Sequence, residues 1–279
     1  MIGGKGRFGR QALLRLGNAL AFAAVTAVGV VVLAPRAEAW EMRVCSDANL
    51  MPFSHADLTG YENRIAELLA KDMGATLTYL WFPASEAQVQ DYLRTGECDL
   101  VMGVADGYGG LTSTLAYYRS PFVFVHRPNE GYNIEMFDDP DLAKLKVGVQ
   151  PGGGPTHDAL VTRGLAHIIV EIYENELAPI IEDVANKKAD VAITWGPGAS
   201  YYASLQNPPL VVNAVTPEFE PPFQPMFINM VIGLRRGEEA FRDLLDLSIA
   251  KNWGAIQDEL VKLRVPLMPL AEPMLTLEP

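Results

Sequence analysis

The 279-residue sequence has few of the residues that metal sites and covalent catalysis require. It has only 2 cysteines and 4 histidines, and the histidines lie far apart, without the short spacings of zinc sites. A serine-hydrolase G-x-S-x-G motif and a P-loop are also missing. We therefore expect no metal, no cofactor and no catalytic residue in this protein.

Basic residues are scarce as well. The chain has 22 lysines and arginines against 34 aspartates and glutamates, which gives a net charge of −12 at pH 7. Beyond residue 39 the balance is 17 to 33, a net charge of −16. An acidic surface repels nucleic acid and anionic membranes and attracts cationic partners. We therefore expect no nucleic-acid partner, and solubility alone is the simplest reason for the charge.

The first 39 residues differ from the rest of the chain. A basic stretch up to Arg15 is followed by an apolar run over 16–33 and by Ala37-Glu38-Ala39, directly before Trp40. This order is typical of a secretory signal peptide that is removed before Trp40. An uncleaved anchor helix is the alternative, because the apolar run is nearly long enough to span a bilayer. We expect an exported chain with no membrane span after cleavage.

Cys45 and Cys98 both lie beyond this segment. A small, even number of cysteines in an exported chain indicates a disulfide, and the absence of a C-x-x-C motif argues against redox catalysis. We expect the two residues to lie on neighbouring strands and to form one bond. Closing this loop would remove about 4 kcal/mol of chain entropy from the unfolded state.

Strand-like and helix-like segments alternate along the rest of the chain. The order of helix, polar turn, aspartate and apolar strand occurs twice, at 96–102 and at 187–193. Both halves are therefore predicted to be β-α-β-α-β units with parallel sheets. The predicted strands are 42–46, 76–82, 99–104, 121–126, 145–150, 168–173, 190–194 and 226–234, and the predicted helices are 61–73, 86–94, 156–166, 177–187 and 238–252.

These units predict an α/β protein with two lobes, each a mainly parallel sheet flanked by helices. Four prolines within 216–225 exclude a helix or a central strand, so this segment is expected to cross between the lobes in extended form. The predicted organisation is a signal peptide over 1–39, lobe 1 over 40–125 plus 225–265, lobe 2 over 126–224, and an extended or frayed C-terminal tail over 266–279.

A binding cleft is expected between the two lobes. In open parallel sheets, ligands bind beyond the carboxyl ends of the strands, and facing lobes would bring these ends together. For any single residue, ordinary packing is the simpler explanation. The predicted cleft residues are Asp47, Phe53, Asp106, Tyr108, Arg119, Trp195 and Tyr201.

Several short motifs, in their order and spacing, carry a family resemblance. Pro52-Phe53-Ser54 and the segments 60–63, 98–103 and 146–150 resemble family 3 of the extracellular solute-binding proteins. Segments 43–45, 61–63, 96–99, 117–120 and 195–197 more specifically resemble its quinoprotein dehydrogenase-associated branch, the MxaJ/XoxJ type. Members of that branch are encoded with PQQ-dependent methanol dehydrogenases. The resemblance covers nearly all of 41–270.

The resemblance implies the two-lobed type II periplasmic-binding-protein fold and a periplasmic location. It also implies a non-enzymatic accessory role for a PQQ-dependent alcohol dehydrogenase, with the dehydrogenase or its cytochrome as partner and a small molecule or peptide as a further occupant of the cleft. An ABC-transporter receptor for a small solute is the alternative. A third reading is a cyclohexadienyl-dehydratase-like enzyme with Glu62 and Asp106 as acid and base.

The sequence departs from the amino-acid-binding members of the family at two places. Those receptors hold the α-carboxylate with an arginine shortly before the F-S-x-P-Y stretch, whereas 111–116 contains no arginine. They hold the α-ammonium with an acidic residue, and Trp195 stands at that position here. Leaving either charge of a zwitterion unpaired in a desolvated site is costly. Amino-acid binding is therefore disfavoured, unless Arg119 replaces the missing arginine.

Overall fold

The computed structural model describes residues 40–82, 86–150, 154–171 and 177–274, so the predicted signal peptide and the end of the tail lie outside it. The strands are β1 (Glu41–Ser46), β2 (Asn49–Leu50), β3 (Ser54–His55), β4 (Thr76–Trp81), β5 (Leu100–Ala105), β6 (Thr112–Ser113), β7 (Tyr118–His126), β8 (Val147–Val149), β9 (Ile169–Glu171), β10 (Val191–Trp195), β11 (Val211–Ala214), β12 (Phe219–Glu220), β13 (Gln224–Pro225) and β14 (Phe227–Leu234). The helices are α1 (Tyr61–Asp72), α2 (Glu86–Thr95), α3 (Pro155–Thr162), α4 (Leu177–Ala185), α5 (Gly196–Leu205), α6 (Glu239–Lys251) and α7 (Trp253–Lys262). Every predicted strand and helix has a counterpart.

The first sheet has the strand order β4-β1-β5-β14-β7. Strand β1 is parallel to β4 and β5, and β14 is antiparallel to β5 and β7. Successive residues of β1 face opposite sides of this sheet. Met42 and Val44 face the core that is shared with α1, α6 and α7, while Cys45 faces the smaller cluster near α2.

The predicted disulfide joins Cys45 to Cys98, and their Cα atoms lie 5.5 Å apart. Both residues are buried beside Phe82 and Leu93. Cys45 lies on β1, and Cys98 lies two residues before β5, the neighbouring strand that pairs with β1, rather than on the strand itself. The bond therefore links the middle of the first sheet to the end of α2.

The second sheet continues from β7 through β10, β8 and β9. Strands β8, β9 and β10 are parallel, and β7 is antiparallel to both β10 and β11. Buried residues cover both faces of this sheet: Val125 packs with α4 and α5, and Phe124 packs with α3. The alternation of these neighbours follows from the two-residue period of a strand.

Strand β7 belongs to both sheets. It pairs with β14 as far as Pro121 and with β10 and β11 from Phe122 onward. Between β11 and β14 the chain returns to the first sheet, and this segment contains the hairpin of β12 and β13. These two strands pair only with each other among the described strands. The extended crossing predicted for 216–225 is therefore a folded hairpin.

The segment that follows α7 also lies beside β7. The Ser120 hydroxyl donates to the carbonyl of Pro266 at 2.6 Å, and the Met268 amide donates to the carbonyl of Arg119 at 3.0 Å. The start of the tail that was predicted to be extended or frayed is thus hydrogen-bonded, through Pro266 and Met268, to the strand that joins the sheets. Within the described ranges, no helix is long and apolar enough to cross a membrane.

Candidate functional site

A cavity of about 440 Å³ lies beyond the carboxyl ends of β1, β5, β8 and β10. This is the edge at which parallel strands present loop residues to a ligand. Its aromatic and aliphatic lining includes Leu50, Phe53, Phe82, Val89, Val101, Met102, Val104, Leu111 and Trp195. Its polar lining includes Ser46, Asp47, Ser54, Glu62, Tyr108 and Gln150.

The loop that carries Phe53 is fixed on the first turn of α1. No side chain caps this helix; instead the amides of Tyr61 and Glu62 donate to the carbonyls of Pro52 and Phe53, both at 2.9 Å. A Cβ atom at Gly60 would overlap the Phe53 backbone, so only glycine permits this approach. The same contacts therefore place the Phe53 ring and the Glu62 side chain at the cavity.

Trp195 is the last residue of β10 and reaches from the second sheet to the first. Its ring stacks on Phe53, with centroids 5.5 Å apart and planes at 17°, and it also packs beside Tyr118 at 6.4 Å. The indole N–H is buried and has no hydrogen-bond partner among the described residues. An aromatic contact therefore joins the two sheets across the cavity wall.

Glu62 is an acidic residue in an almost fully buried position, with 8% of its surface exposed. Burial favours the neutral carboxyl and raises the pKa of Glu62 to about 8. Its carboxyl has no ion-pair partner among the described residues. At neutral pH the cavity is therefore lined by a largely protonated carboxyl group.

Gly103 provides the space for this carboxyl. It has a φ of +66°, and a β-bulge interrupts the pairing of β5 with β14 at this point. A Cβ atom there would overlap Oε1 of Glu62. An isolated glycine within a strand often marks such a bulge or a close approach.

The polar rim of the cavity is held by short local hydrogen bonds. Oδ1 of Asp47 accepts from the Asn49 amide at 2.8 Å, and the Ser54 hydroxyl donates to the Asp47 carbonyl at 2.8 Å. The side chain of Gln90 donates to the Tyr108 hydroxyl at 3.2 Å. These contacts hold the polar rim of the cavity in place.

Of the predicted cleft residues, Asp47, Phe53, Tyr108 and Trp195 line the cavity, whereas Asp106, Arg119 and Tyr201 do not. Asp106 follows β5 but is exposed. Arg119 faces away because neighbouring residues of a strand point to opposite faces, and Tyr118 occupies the inward face. Arg119 instead donates to Asn229 at 2.7 Å and lies over the ring of Phe227 at 4.5 Å.

Tyr201 lies away from the cavity because of an unpredicted helix. Helix α5 begins directly after Trp195, although Gly196-Pro197-Gly198 resembles a turn in sequence. Each helical residue advances the chain by about 1.5 Å, so the helix moves Tyr201 away from the strand end. Its ring packs against Tyr202, with centroids 5.1 Å apart.

Several lining residues were not among the predicted site residues. Phe82 and Gly103 belong to this group, and Glu62 was considered only as the acid of a dehydratase. The glycine inside a predicted strand was a usable signal for a bulge. No local pattern indicates that the side chain of Glu62 fills the space at Gly103, because the two residues are about 40 positions apart in sequence.

The charges of the cavity restrict the ligands that it suits. Its described lining includes the carboxyl groups of Asp47 and Glu62 but no lysine, arginine or histidine. A buried anion needs a charged or hydrogen-bonding partner to offset the loss of water. The lining therefore suits neutral or cationic, largely apolar groups. Within the described ranges, no cluster of at least three histidine, cysteine or acidic residues is placed to hold a metal ion.

Comparisons with known proteins show which proteins this chain is similar to. No protein-family model matches the sequence. Protein MoxJ from Methylorubrum extorquens is 28% identical over 258 residues, which cover 85% of this chain and 85% of that protein. The crystal structure of the periplasmic binding protein XoxJ from Methylobacterium extorquens AM1 is 31% identical, with a TM-score of 0.69, and the match covers 82% of this chain and 100% of that one.

The crystal structure of MxaJ from Methlophaga aminisulfidivorans MPT is similar in fold. Its TM-score is 0.73 at 22% identity, and the match covers 81% of this chain and 100% of that one. The two-lobed type II fold of the periplasmic binding proteins is therefore confirmed. Below, the first lobe denotes the elements built on the first sheet, and the second lobe denotes those built on the second sheet.

Proposed function

This chain belongs to the MxaJ/XoxJ type of family 3 periplasmic solute-binding proteins, and from this premise we propose that it is a non-enzymatic accessory protein of a PQQ-dependent alcohol dehydrogenase. It acts in the periplasm after removal of residues 1–39. Its partner is the dehydrogenase or its cytochrome. We keep the boundaries 40–125 plus 225–265 and 126–224 for the two lobes as part of this proposal.

The observation that carries the proposal is the absence of a cationic side chain from the described cavity lining. An amino acid placed there would leave its α-carboxylate desolvated beside Asp47 and Glu62. The loss of water opposes binding because no cation in the described lining offsets it, and the carboxylate of Asp47 adds like-charge repulsion, whereas Glu62 is largely neutral at pH 7. Arg119 does not offset this cost, because its side chain lies over Phe227 and bonds to Asn229.

The charge of the whole chain supports a protein partner. Without residues 1–39 the net charge is −16, which favours association with a cationic protein surface. Such attraction speeds encounter and is screened over about 8 Å at physiological ionic strength. Association is therefore expected to weaken as salt is added.

A receptor for a small solute is the second candidate, because a cavity of about 440 Å³ is large enough for one. Its lining favours a neutral or cationic solute. The dehydratase reading is less well supported. Glu62 lines the cavity while Asp106 is exposed outside it, so these two carboxyl groups do not form an acid–base pair across one substrate.

Calorimetric titration separates these candidates. The purified protein is titrated with the dehydrogenase, with its cytochrome and with the common amino acids, at low and at high salt. The proposal predicts salt-sensitive binding of the dehydrogenase or the cytochrome and no measurable binding of amino acids. Micromolar or tighter binding of an amino acid, without binding of either protein, would contradict it.

A further inference from the structure

The β12–β13 hairpin carries an aromatic side chain, Phe223, that is not packed into the protein. Its strands pair Phe219 with Pro225 and Glu220 with Gln224, and Phe223 lies at the turn between them. Phe223 is 90% exposed, more than any other phenylalanine or tryptophan of the described residues. Exposure of a whole aromatic ring to water forgoes one of the largest apolar gains available to a folded chain.

The base of this hairpin is firmly held. Glu220 is 2% exposed, and its Oε2 accepts a hydrogen bond from Arg163 at 2.5 Å. Arg163 also donates to both carboxylate oxygens of Asp138, at 2.7 and 2.9 Å, and lies over the ring of Phe137. These carboxylates raise the pKa of the Arg163 guanidinium, so the anchor stays charged. A buried, hydrogen-bonded ion pair fixes the hairpin to the second lobe.

A backbone contact joins the chain just before the hairpin to the turn at 135–138: the amide of Thr216 donates to the carbonyl of Glu135 at 2.7 Å. At the base of the hairpin itself, the amide of Met226 donates to the carbonyl of Glu218 at 2.8 Å. The turn and the hairpin therefore form one surface. Because its backbone is already fixed, a partner that binds there pays little conformational entropy.

This hairpin surface combines apolar and acidic groups. Its exposed residues are Phe219, Phe223, Met136, Glu135, Glu218 and Asp138. Arg163 is paired with Asp138 and Glu220, so the acidic character of the surface comes mainly from Glu135 and Glu218. Arg119 lies over the ring of Phe227, which in turn packs against Phe219. An exposed aromatic ring on a surface that also carries exposed carboxylates fits an apolar socket that is rimmed by cations.

We propose that the hairpin surface is a docking site for a cationic protein partner, with the Phe223 ring inserted into an apolar socket on that partner. The inference rests on the proposed function, in which this partner is the dehydrogenase or its cytochrome. A second copy of this chain is a poorer occupant, because its own net charge is strongly negative. An anionic bilayer is disfavoured for the same reason, since the surface carries carboxylates rather than lysines.

The test compares surface variants in binding to the purified dehydrogenase and cytochrome by biolayer interferometry. Phe223→Ala is expected to weaken binding about 10- to 100-fold, mainly through faster dissociation, as for an aromatic anchor at an interface centre. Phe223→Trp retains a ring and is expected to stay within about threefold of the parent protein. Glu218→Gln is expected to slow association and to reduce its salt dependence.

The matched control is Val261→Ala, which removes an exposed apolar side chain from α7 on the first lobe. It should leave binding unchanged, and urea unfolding should show that all variants remain folded. Equal binding by Phe223→Ala and the parent protein would overturn this inference while leaving the proposed function intact. Binding of neither protein partner by the parent chain would overturn both. Loss of self-association or of vesicle binding, in place of loss of partner binding, would also overturn it.

Discussion

The ring of Phe53, from the first lobe, stacks on the ring of Trp195, from the second lobe, with centroids 5.5 Å apart. Trp195 also packs against the core that α1, α6 and α7 share with the first sheet. Behind it, a Cβ atom at Gly196 would come within 2.6 Å of Pro266 and 2.7 Å of the Pro121 carbonyl. The two lobes are thus in direct contact through these rings.

The stack should stabilise the protein measurably. Trp195→Ala is expected to lower the free energy of unfolding by about 2–3 kcal/mol, because it removes a large ring from a packed contact. Trp195→Phe keeps a stacking ring and should lose less than half of that. Urea unfolding gives both values, and small-angle scattering should show a larger radius of gyration for Trp195→Ala alone. Identical unfolding curves for all three proteins would show that the stack does not hold the lobes together.

The buried Glu62 carboxyl should make stability depend on pH. Its pKa in the folded protein is raised by burial to about 8, whereas the unfolded chain ionises near the ordinary value of 4.5. Between these two values the folded state holds a proton that the unfolded state has lost, so stability falls as pH rises, by up to about 1.4 kcal/mol per pH unit. Below the unfolded value this cost is absent.

Glu62→Gln tests this expectation, because the amide is similar in shape and does not ionise. Urea midpoints measured from pH 4 to pH 9 should show that the advantage of Glu62→Gln over the parent protein grows between about pH 5 and pH 8 and then levels off. Other titrating groups affect both proteins alike and cancel in the difference. A constant difference across this range would contradict a neutral Glu62.

Gly103 should be intolerant of any side chain. Gly103→Ala is expected to cost about 2–4 kcal/mol, since it places a methyl group on Glu62 and also strains a positive φ. Gly107→Ala is the matched control. Gly107 also has a positive φ, of +82°, but a Cβ atom there meets no atom within 4 Å, so its cost should be about 1 kcal/mol. Equal costs in thermal unfolding would mean that Glu62 does not occupy the space at Gly103.

The disulfide should contribute strongly to stability. Replacing Cys45 and Cys98 together by alanine is expected to cost about 2–5 kcal/mol, mainly by freeing the unfolded chain. Denaturation by urea checks this, and the parent protein in excess reductant should shift in the same direction. Free-thiol titration of the untreated protein should detect neither cysteine. Two reactive thiols in the native protein would contradict the bond.

The part of the fold that followed from sequence is the part governed by local pattern. Alternation and periodicity located the main strands of both mixed sheets, and the rule for strand ends identified Asp47, Phe53 and Trp195 at the cavity. Helix α7 was missed because Asn252 ends one helix and the next begins at Trp253, without a proline or glycine to mark the break. Helix α5 was missed because its first residues resemble a turn.

The site residues that sequence could not predict depend on contacts between distant segments. Arg119 was placed in the cleft although Tyr118 takes the inward face of β7, and the run of polar and aromatic residues there gives no alternation to decide between them. Glu62 reaches the cavity only because a bulge in another strand leaves room at Gly103. The positions of Arg119 and Glu62 therefore depend on the direction of each side chain and on packing between distant segments. The type of secondary structure does not determine them.

The position of β14 determines when the protein can fold as it is made. This strand lies between β5 and β7 in the first sheet, yet it follows the entire second sheet in sequence. A chain that emerges from its amino terminus exposes the facing edges of β5 and β7 until nearly all residues are available. Unpaired strand edges of this kind favour aggregation, so the first sheet is exposed to mispairing until β14 is inserted and α6 and α7 complete the first core.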